Sequence, residues 1–304
     1  MSELGTLPGT ARVLQPTIDG QKLKKTLYID TAHLDRCIEL WSSGGFDELG
    51  LESYDDNFKL NDTELLKRFP DVRRLHINLD RRIDLSGLSY VADRLMALNI
   101  NDDINTVADL TPFKCLESLG IRWNQKTRFP NELPSLRSLG LSYFNPSTKD
   151  LTTLPHMPLL RAFGLTVARL ESLKGVGRLR ALYRLSLYRV QGLTTVNEIG
   201  ALRELGELEI EGCKGSFDLP NALRSSAQLT KMIYGRSAPL SSLNFISGLP
   251  KLELLTFLET DVTDGDMSLL ASHKSLRYVA FTKKKHFSHS DKELNALYAS
   301  REEK

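Results

Sequence analysis

The feature that most constrains this chain is a pair of apolar residues, two positions apart, that returns twelve times. Its first member stands at Leu27, Leu49, Leu75, Leu98, Leu119, Leu139, Phe163, Leu185, Leu208, Met232, Leu255 and Val279, in steps of 20 to 26 residues. Its second member follows at Ile29, Leu51, Ile77, Ile100, Ile121, Leu141, Leu165, Leu187, Ile210, Tyr234, Phe257 and Phe281. A spacing of two is the period of a strand that buries one face only. The fullest copy, LESLGIRWN, adds Leu116 and closes on Asn124, giving L-x-x-L-x-L-x-x-N. One such strand cannot bury its apolar side alone, so copies must stack beside it with a returning segment between each pair.

This pattern resembles the leucine-rich-repeat superfamily, within its short, irregular class of about 22 residues per unit, as in Sds22-like and bacterial forms. The resemblance covers residues 24–285. It implies an α/β fold: a right-handed horseshoe solenoid with a parallel concave sheet of about twelve strands and short helices or 3₁₀ turns on the convex side. The domain division that goes with it is an N-terminal segment or cap over 1–23, the solenoid over 24–285, and a C-terminal capping helix with its tail over 286–304. The chain departs from the family at the asparagine position. Only Asn124 and Cys213 carry the expected types; elsewhere stand Ala32, Tyr54, Asp80, Asp103, Phe144, Ala168, Val190, Ser237, Thr260 and Lys284. Backbone groups that the asparagine satisfies in regular repeats need other partners here, so locally variable curvature is expected.

At the N-terminus, Arg12–Ile18 and Lys24–Asp30 flank an Asp19-Gly20 turn signal and are expected to cap the first strand edge. Thr31 is placed to N-cap a helix with Leu34, Cys37, Ile38 and Trp41 on one face, ended by SSGG. TELLKRFP, LSYVADRL and DGDMSLLASH read as short helices, the last capped by Asp264 or Asp266. NELPS and TTLPHMPLL are too proline-rich for full helices. Near the C-terminus, Ser290 and Glu293 have capping-box spacing before an apolar face of Leu294, Leu297 and Tyr298.

A net charge of +2 gives no whole-chain case for nucleic acid or an acidic substrate. Three cysteines without C-x-x-C point to buried thiols in a reducing compartment. The opening residues show no secretion-signal pattern and no run is long enough to span a bilayer, so a cytoplasmic protein that does not engage the membrane is expected.

No convergent catalytic set is present, and no cofactor or metal is called for. Gly175-Val176-Gly177 is G-x-G without a third glycine, and no phosphate loop or nucleophile elbow occurs. Glu207, Glu209 and Glu211 alternate on one strand, either a carboxylate cluster or, more simply, a solvated stripe. His273, His286 and His289 lack a metal frame and read as solvated. What remains is the outward strand face. Gly120, Gly140 and Gly164 give it a smooth floor, which either admits a partner or eases tight curvature. Around that floor stand Arg122, Trp123, Tyr143, Arg184 and Tyr188, residue types enriched at interface hot spots. Towards the C-terminus the same face turns apolar with Ile233, Leu254, Leu258 and Tyr278, covered either by a partner, by self-association or by the chain's own tail. The expected function is a non-catalytic scaffold that holds a protein partner in its concave face. The alternatives are an enzyme's regulatory subunit or an immunity-type inhibitor, with nucleic-acid binding disfavoured by charge.

Overall fold

A computed structural model describes residues 24–53, 58–101 and 107–302, together with the backbone of four N-terminal strands. The chain divides into two units, the first formed by 1–137 with 155–157 and the second by 138–154 with 158–304. In the first unit the strands are β1 (Glu3–Thr6), β2 (Arg12–Gln15), β3 (Thr17–Ile18), β4 (Gln21–Lys22), β5 (Thr26–Tyr28), β6 (Glu48–Glu52), β7 (Arg74–Asn78), β8 (Ala97–Ile100) and β9 (Ser118–Arg122). β5 to β9 are parallel, in a register that sets Leu27, Leu49, Leu75, Leu98 and Leu119 side by side. β2 pairs antiparallel with β5, and β1 with β2, so the outer edge of the first parallel strand is occupied. β3 and β4 pair with each other; the Asp19-Gly20 turn between them lies outside the described residues.

Helix α1 (Leu34–Ser42) is entered through a 3₁₀ turn at Thr31–His33. That turn moves the cap one residue earlier than the sequence places it: Asp30 Oδ1 accepts the Ala32 N–H at 2.9 Å. Thr31 Oγ1 instead accepts the Lys59 N–H at 3.1 Å.

The second unit contains β10 (Ser138–Ser142), β11 (Ala162–Thr166), β12 (Arg184–Tyr188), β13 (Glu207–Glu211), β14 (Lys231–Gly235), β15 (Leu254–Phe257) and β16 (Tyr278–Phe281). All are parallel, and the register aligns Leu139, Phe163, Leu185, Leu208, Met232, Leu255 and Val279. In both units every inward residue of the recurring pair is buried. Three residues before the pair, Val72, Leu95, Leu116 and Leu136 in the first unit and Leu160, Leu182, Leu205, Leu229, Leu252 and Leu276 in the second are buried as well. Each buried leucine contributes about 1.5–3 kcal/mol, but only when its neighbours supply the other wall. Tyr234 is the one inward residue with a polar tip, and its hydroxyl donates to the Ala238 carbonyl at 2.9 Å.

The ends of β10 to β15 solve the missing-asparagine problem by other means. Tyr143, Val167, Arg189, Gly212, Arg236 and Glu259 hold one repeat position and all have left-handed φ, between 49° and 68°. In that conformation the N–H groups of the first five point sideways, donating to the carbonyls of Thr166, Tyr188, Glu211, Gly235 and Leu258 at 2.7–2.9 Å. The ladder therefore runs one residue past the strands. The next residues, Phe144, Ala168, Val190, Cys213, Ser237 and Thr260, are buried. In the last repeats hydroxyls stitch this column together: Ser237 Oγ accepts the Cys213 N–H at 3.2 Å, and Thr260 Oγ1 accepts the Ser237 N–H at 3.3 Å. In the first unit Asn124 itself keeps the role, its Oδ1 accepting the Lys126 N–H at 2.9 Å.

The returning segments are shorter than helices. TELLKRFP and LSYVADRL form 3₁₀ turns at Glu64–Arg68 and Ser86–Tyr90. In the second unit, α2 (Leu219–Ala222) and α3 (Ser268–Ser272) are α-helical, and the Ser268 N–H donates to Asp266 Oδ1. NELPS and TTLPHMPLL are turns joined by a bridge between Glu132 and His156. Many segments open on a side-chain turn, as at Asp62, Asp84, Asp109, Asp150 and Ser172, where the side chain accepts an N–H two residues on at 2.8–3.0 Å. Gly175-Val176-Gly177 is one of these connections. Its two glycine N–H groups hold the Glu198 carboxylate of the following repeat at 2.7 and 3.1 Å.

Helix α4 (Asp291–Glu302) closes the far end. It starts with a reciprocal capping box: the Glu293 N–H donates to Ser290 Oγ at 3.2 Å, and the Ser290 N–H to Glu293 Oε2 at 2.6 Å. Asn295 satisfies the open edge of β16, accepting the Val279 N–H at 3.0 Å and donating to the Val279 carbonyl at 2.8 Å. Leu294 and Tyr298 are buried, whereas Leu297, expected on the same face, is 38% exposed. Burial pushes the Tyr298 hydroxyl pKa up to about 12, and it donates to the Leu270 carbonyl at 2.9 Å. Phe287 plugs the last repeat, edge-on to Phe257 and Phe281.

Left-handed φ costs a side chain roughly 1–2 kcal/mol, and most at a β-branched residue. Val167→Asn is therefore expected to stabilise the fold by about 1 kcal/mol, read as a higher urea midpoint, and Gly212→Val to destabilise it by at least as much. A second expectation concerns acid. The Thr111 hydroxyl and N–H hold Asp109 below the usual carboxylate pKa, and the Ser290 N–H and hydroxyl do the same for Glu293. Their stabilisation is complete at neutral pH and is lost as pH falls through those lowered values, below about pH 4. In Asp109→Asn the pH dependence of the midpoint should flatten over that range; an unchanged profile would refute the assignment.

Candidate functional site

The outward residues of β10 to β16 fall into three lanes. The first runs Ser138, Ala162, Arg184, Glu207, Lys231, Leu254, Tyr278 and the second Gly140, Gly164, Ser186, Glu209, Ile233, Thr256, Ala280. The third continues past Ser142, Thr166, Tyr188, Glu211 and Gly235 to Leu258 and Thr282. Parallel pairing thus brings Gly140 beside Gly164, Leu254 beside Tyr278 and Arg184 beside Glu207. Along the lanes the face changes from small residues, through charge, to apolar side chains.

The small end is open. An added Cβ at Gly164 would meet nothing within 4 Å, so no packing inside the chain requires that glycine. Tyr143 stands at its margin, 45% exposed on left-handed backbone. Tyr188 is half-buried, with the Arg189 guanidinium 5.1 Å from its ring centre. Other glycines differ in purpose. In the first unit, a Cβ at Gly50 would strike the Tyr28 ring of the preceding repeat, and one at Gly120 would press on Asn99 Oδ1 at 3.0 Å. Arg122 and Trp123 belong to that first unit and are half-buried there.

In the charged middle, the three glutamates of β13 are engaged across strands. Glu207 Oε2 lies 2.6 Å from two Arg184 nitrogens. Glu209 accepts from Lys231 Nζ and from Ser186 Oγ, each at 2.9 Å. Glu211 pairs with Arg236 at 3.2 Å, and Arg236 also reaches Glu259 at 3.0 Å. Burial would raise the Glu209 pKa, but the Lys231 and Ser186 hydrogen bonds outweigh it and hold the carboxyl low. The stripe is therefore an ion-paired band, not free carboxylate. No group of three or more His, Cys, Asp or Glu side chains among the described residues could hold a metal ion. His286 Nε2 lies 3.1 Å from the Val262 carbonyl and His289 Nδ1 2.9 Å from Ser288 Oγ.

At the apolar end Leu258 is 49% and Tyr278 48% exposed, while Ile233 and Leu254 are half-buried. The tail does not lie over them, because Phe287, Leu294, Asn295 and Tyr298 are committed to the last repeat's core and edge. Cys37 and Cys213 are buried free thiols. Cys115, expected to be buried, is exposed, since it sits one residue before the Leu116 column. No helix among the described residues is long and apolar enough to cross a membrane.

Burial of both members of the recurring pair in all twelve repeats, on parallel strands one repeat apart, decides the architecture. The chain folds as a leucine-rich-repeat protein. No protein-family model matches it, and no curated protein does. Among solved structures it is similar to an internalin (inlF) from Listeria monocytogenes, with 15% identity over 86% of this chain and 83% of that one, at a TM-score of 0.48. Internalin C2 (inlC2) of the same organism gives 18% identity over 49% and 73%, at 0.36. A TLR13–ssRNA13 complex gives 15% over 84% of this chain but 45% of the other, at 0.45.

Sequence reasoning located the lanes of this leucine-rich-repeat face but missed which glycines are open. A signal was present: Tyr28 and Gly50 stand at one repeat position in consecutive repeats, and so do Tyr183 and Gly206. In both pairs the glycine accommodates the previous repeat's ring. Replacing Lys231 by Met should raise the Glu209 pKa, read by carbon NMR titration of the carboxyl. An unmoved Glu209 would mean that Ser186 alone sets it.

Proposed function

We propose that this protein is a non-catalytic scaffold that binds a protein partner on the strand face of its second unit. The observation that carries the reading is the apolar end of that face. Leu258 and Tyr278 stay half exposed beside Leu254 and Ile233 although the chain has a tail that could cover them. Apolar surface kept in contact with water on a well-packed fold marks a contact site. The Gly140–Gly164 floor, open at Gly164 and with Tyr143 and Tyr188 beside it, offers a second area where a partner's backbone can approach closely. Between the two, the ion-paired band centred on Glu209 gives shape and register more than affinity, since exposed ion pairs contribute about 0–1 kcal/mol. A reducing cytoplasmic setting, suggested by three free cysteines, belongs to the same reading. Within it, the partner is either held or inhibited.

The test is affinity capture with the full chain, partner identification by mass spectrometry, and titration of the purified pair. Leu258→Glu and Tyr278→Ser are expected to leave the melting temperature unchanged and to weaken binding by about 2 kcal/mol each. Gly164→Arg should fold normally and block a partner that uses the floor. Full binding by all three variants would remove the strand face from consideration.

A further inference from the structure

A second surface lies on the second unit where its strands begin, outside the three lanes. There, as in the strands, residues of successive repeats stack in columns. Arg161, Tyr183 and Gly206 form one column, each two residues before an inward residue, and Arg180 and Arg203 form another. Backbone bonds fix the first column: the Tyr183 N–H donates to the Arg161 carbonyl and the Gly206 N–H to the Tyr183 carbonyl, both at 2.9 Å. A Cβ on Gly206 would overlap the Tyr183 ring, so the ring rests on bare backbone. The Arg161 guanidinium lies 5.7 Å from the ring centre. Tyr183 is thereby held in one orientation while still 36% exposed, and Leu159 beside Arg161 is 43% exposed. Arg180 is tied across to the next repeat, Nη1 donating to the Ala201 carbonyl at 3.2 Å.

The charges here are arranged unlike those on the strand face. Arg184 is paired with Glu207, but Arg161, Arg180 and Arg203 make no ion pair among the described residues, and Glu204 is the one carboxylate interspersed with them. Three unpaired guanidinium groups on adjacent repeats, beside a fixed ring and an exposed leucine, are complementary to carboxylates flanking an apolar side chain.

We propose that this edge binds an acidic segment of a protein, with carboxylates on Arg161, Arg180 and Arg203 and an apolar side chain against Leu159 and Tyr183. The site goes beyond the strand-face reading and does not depend on it. A protein segment fits better than nucleic acid for two reasons. Tyr183 is occupied by Gly206 and Arg161, leaving no clear face for a base to stack on. Three cations are also few for a phosphate backbone, whose binding rests on many such contacts.

The experiment uses the full-length chain and three fluorescent probes: a short peptide of alternating glutamate and leucine, its glutamine–leucine counterpart, and a single-stranded oligothymidylate of equal charge. The glutamate peptide should bind, more weakly as salt rises. In the Arg161→Gln/Arg203→Gln double variant its affinity should fall about tenfold or more, with the melting temperature unchanged. Leu258→Glu should bind this peptide as the unsubstituted chain does, which keeps the outcome here separate from that on the strand face. Equal binding by the double variant, equal binding of the glutamine peptide, or preference for the oligothymidylate would overturn the proposal.

Discussion

Everything in this molecule depends on lateral stacking of strands that cannot bury themselves. A single repeat of 20 to 26 residues has its apolar pair and a few further apolar residues, such as Leu170, Leu173, Val176 and Leu179 after β11, but no neighbouring wall of its own to bury them against. The stabilisation of Leu185 is supplied by Phe163 on one side and Leu208 on the other, through parallel pairing in strict register. Since every repeat needs two neighbours, the ends are the weak points. They are treated differently. The N-terminal edge is covered by an antiparallel strand, β2 on β5, and the C-terminal edge by one side chain, Asn295, which satisfies both backbone groups of Val279. Committing α4 to that edge leaves the neighbouring apolar surface open.

The same dependence explains how repeats can lose their asparagine. The turn after each strand must bury a residue and still satisfy its backbone. In the second unit the residue before it enters the left-handed region and hands its N–H to the next repeat. Once all repeats from Tyr143 to Glu259 do this together, the column behind tolerates Phe144, Ala168 or Val190, none of which can hydrogen-bond through a side chain. Where the column becomes polar again, Ser237 and Thr260 bond between repeats, as the Cys213 N–H does to Ser237.

The fold was legible because a period-two pair repeated at nearly constant distance has few physical solutions, and each inward residue from Leu27 to Phe281 occupies the place its spacing implies. Local detail was less legible wherever two chemistries compete within a few residues. Asp30 and Thr31 are both good caps, and only the 3₁₀ turn between strand and helix selects Asp30. The left-handed ladder was invisible, since Tyr, Val, Arg and Glu carry no propensity for positive φ. Face residues were legible as positions but not as environments. Glu207, Glu209 and Glu211 read alike in sequence, and their pairing depends on Arg184, Lys231 and Arg236, each 22 to 25 residues away in a different repeat.

This pairing bears on how the molecule presents charge. On the strand face of the second unit, cations and carboxylates alternate across strands and cancel at short range. A partner docking there, as proposed, would meet fixed shape with little net field, and would have to displace or accept internal ion pairs to form its own. At the strand-entry edge Arg161, Arg180 and Arg203 have no ion-pair partner among the described residues. Three unpaired arginines on adjacent repeats repel one another, a cost the fold accepts while Glu207 neutralises Arg184 close by. Unpaired surface charge adds little to stability, whereas it raises encounter rates with an oppositely charged segment and falls off with salt. Paired charge does the reverse, fixing geometry at the expense of reach. On the proposed reading, the division between the two surfaces separates attraction at the edge from fit on the face, and it is written in which repeats carry a carboxylate one strand further along.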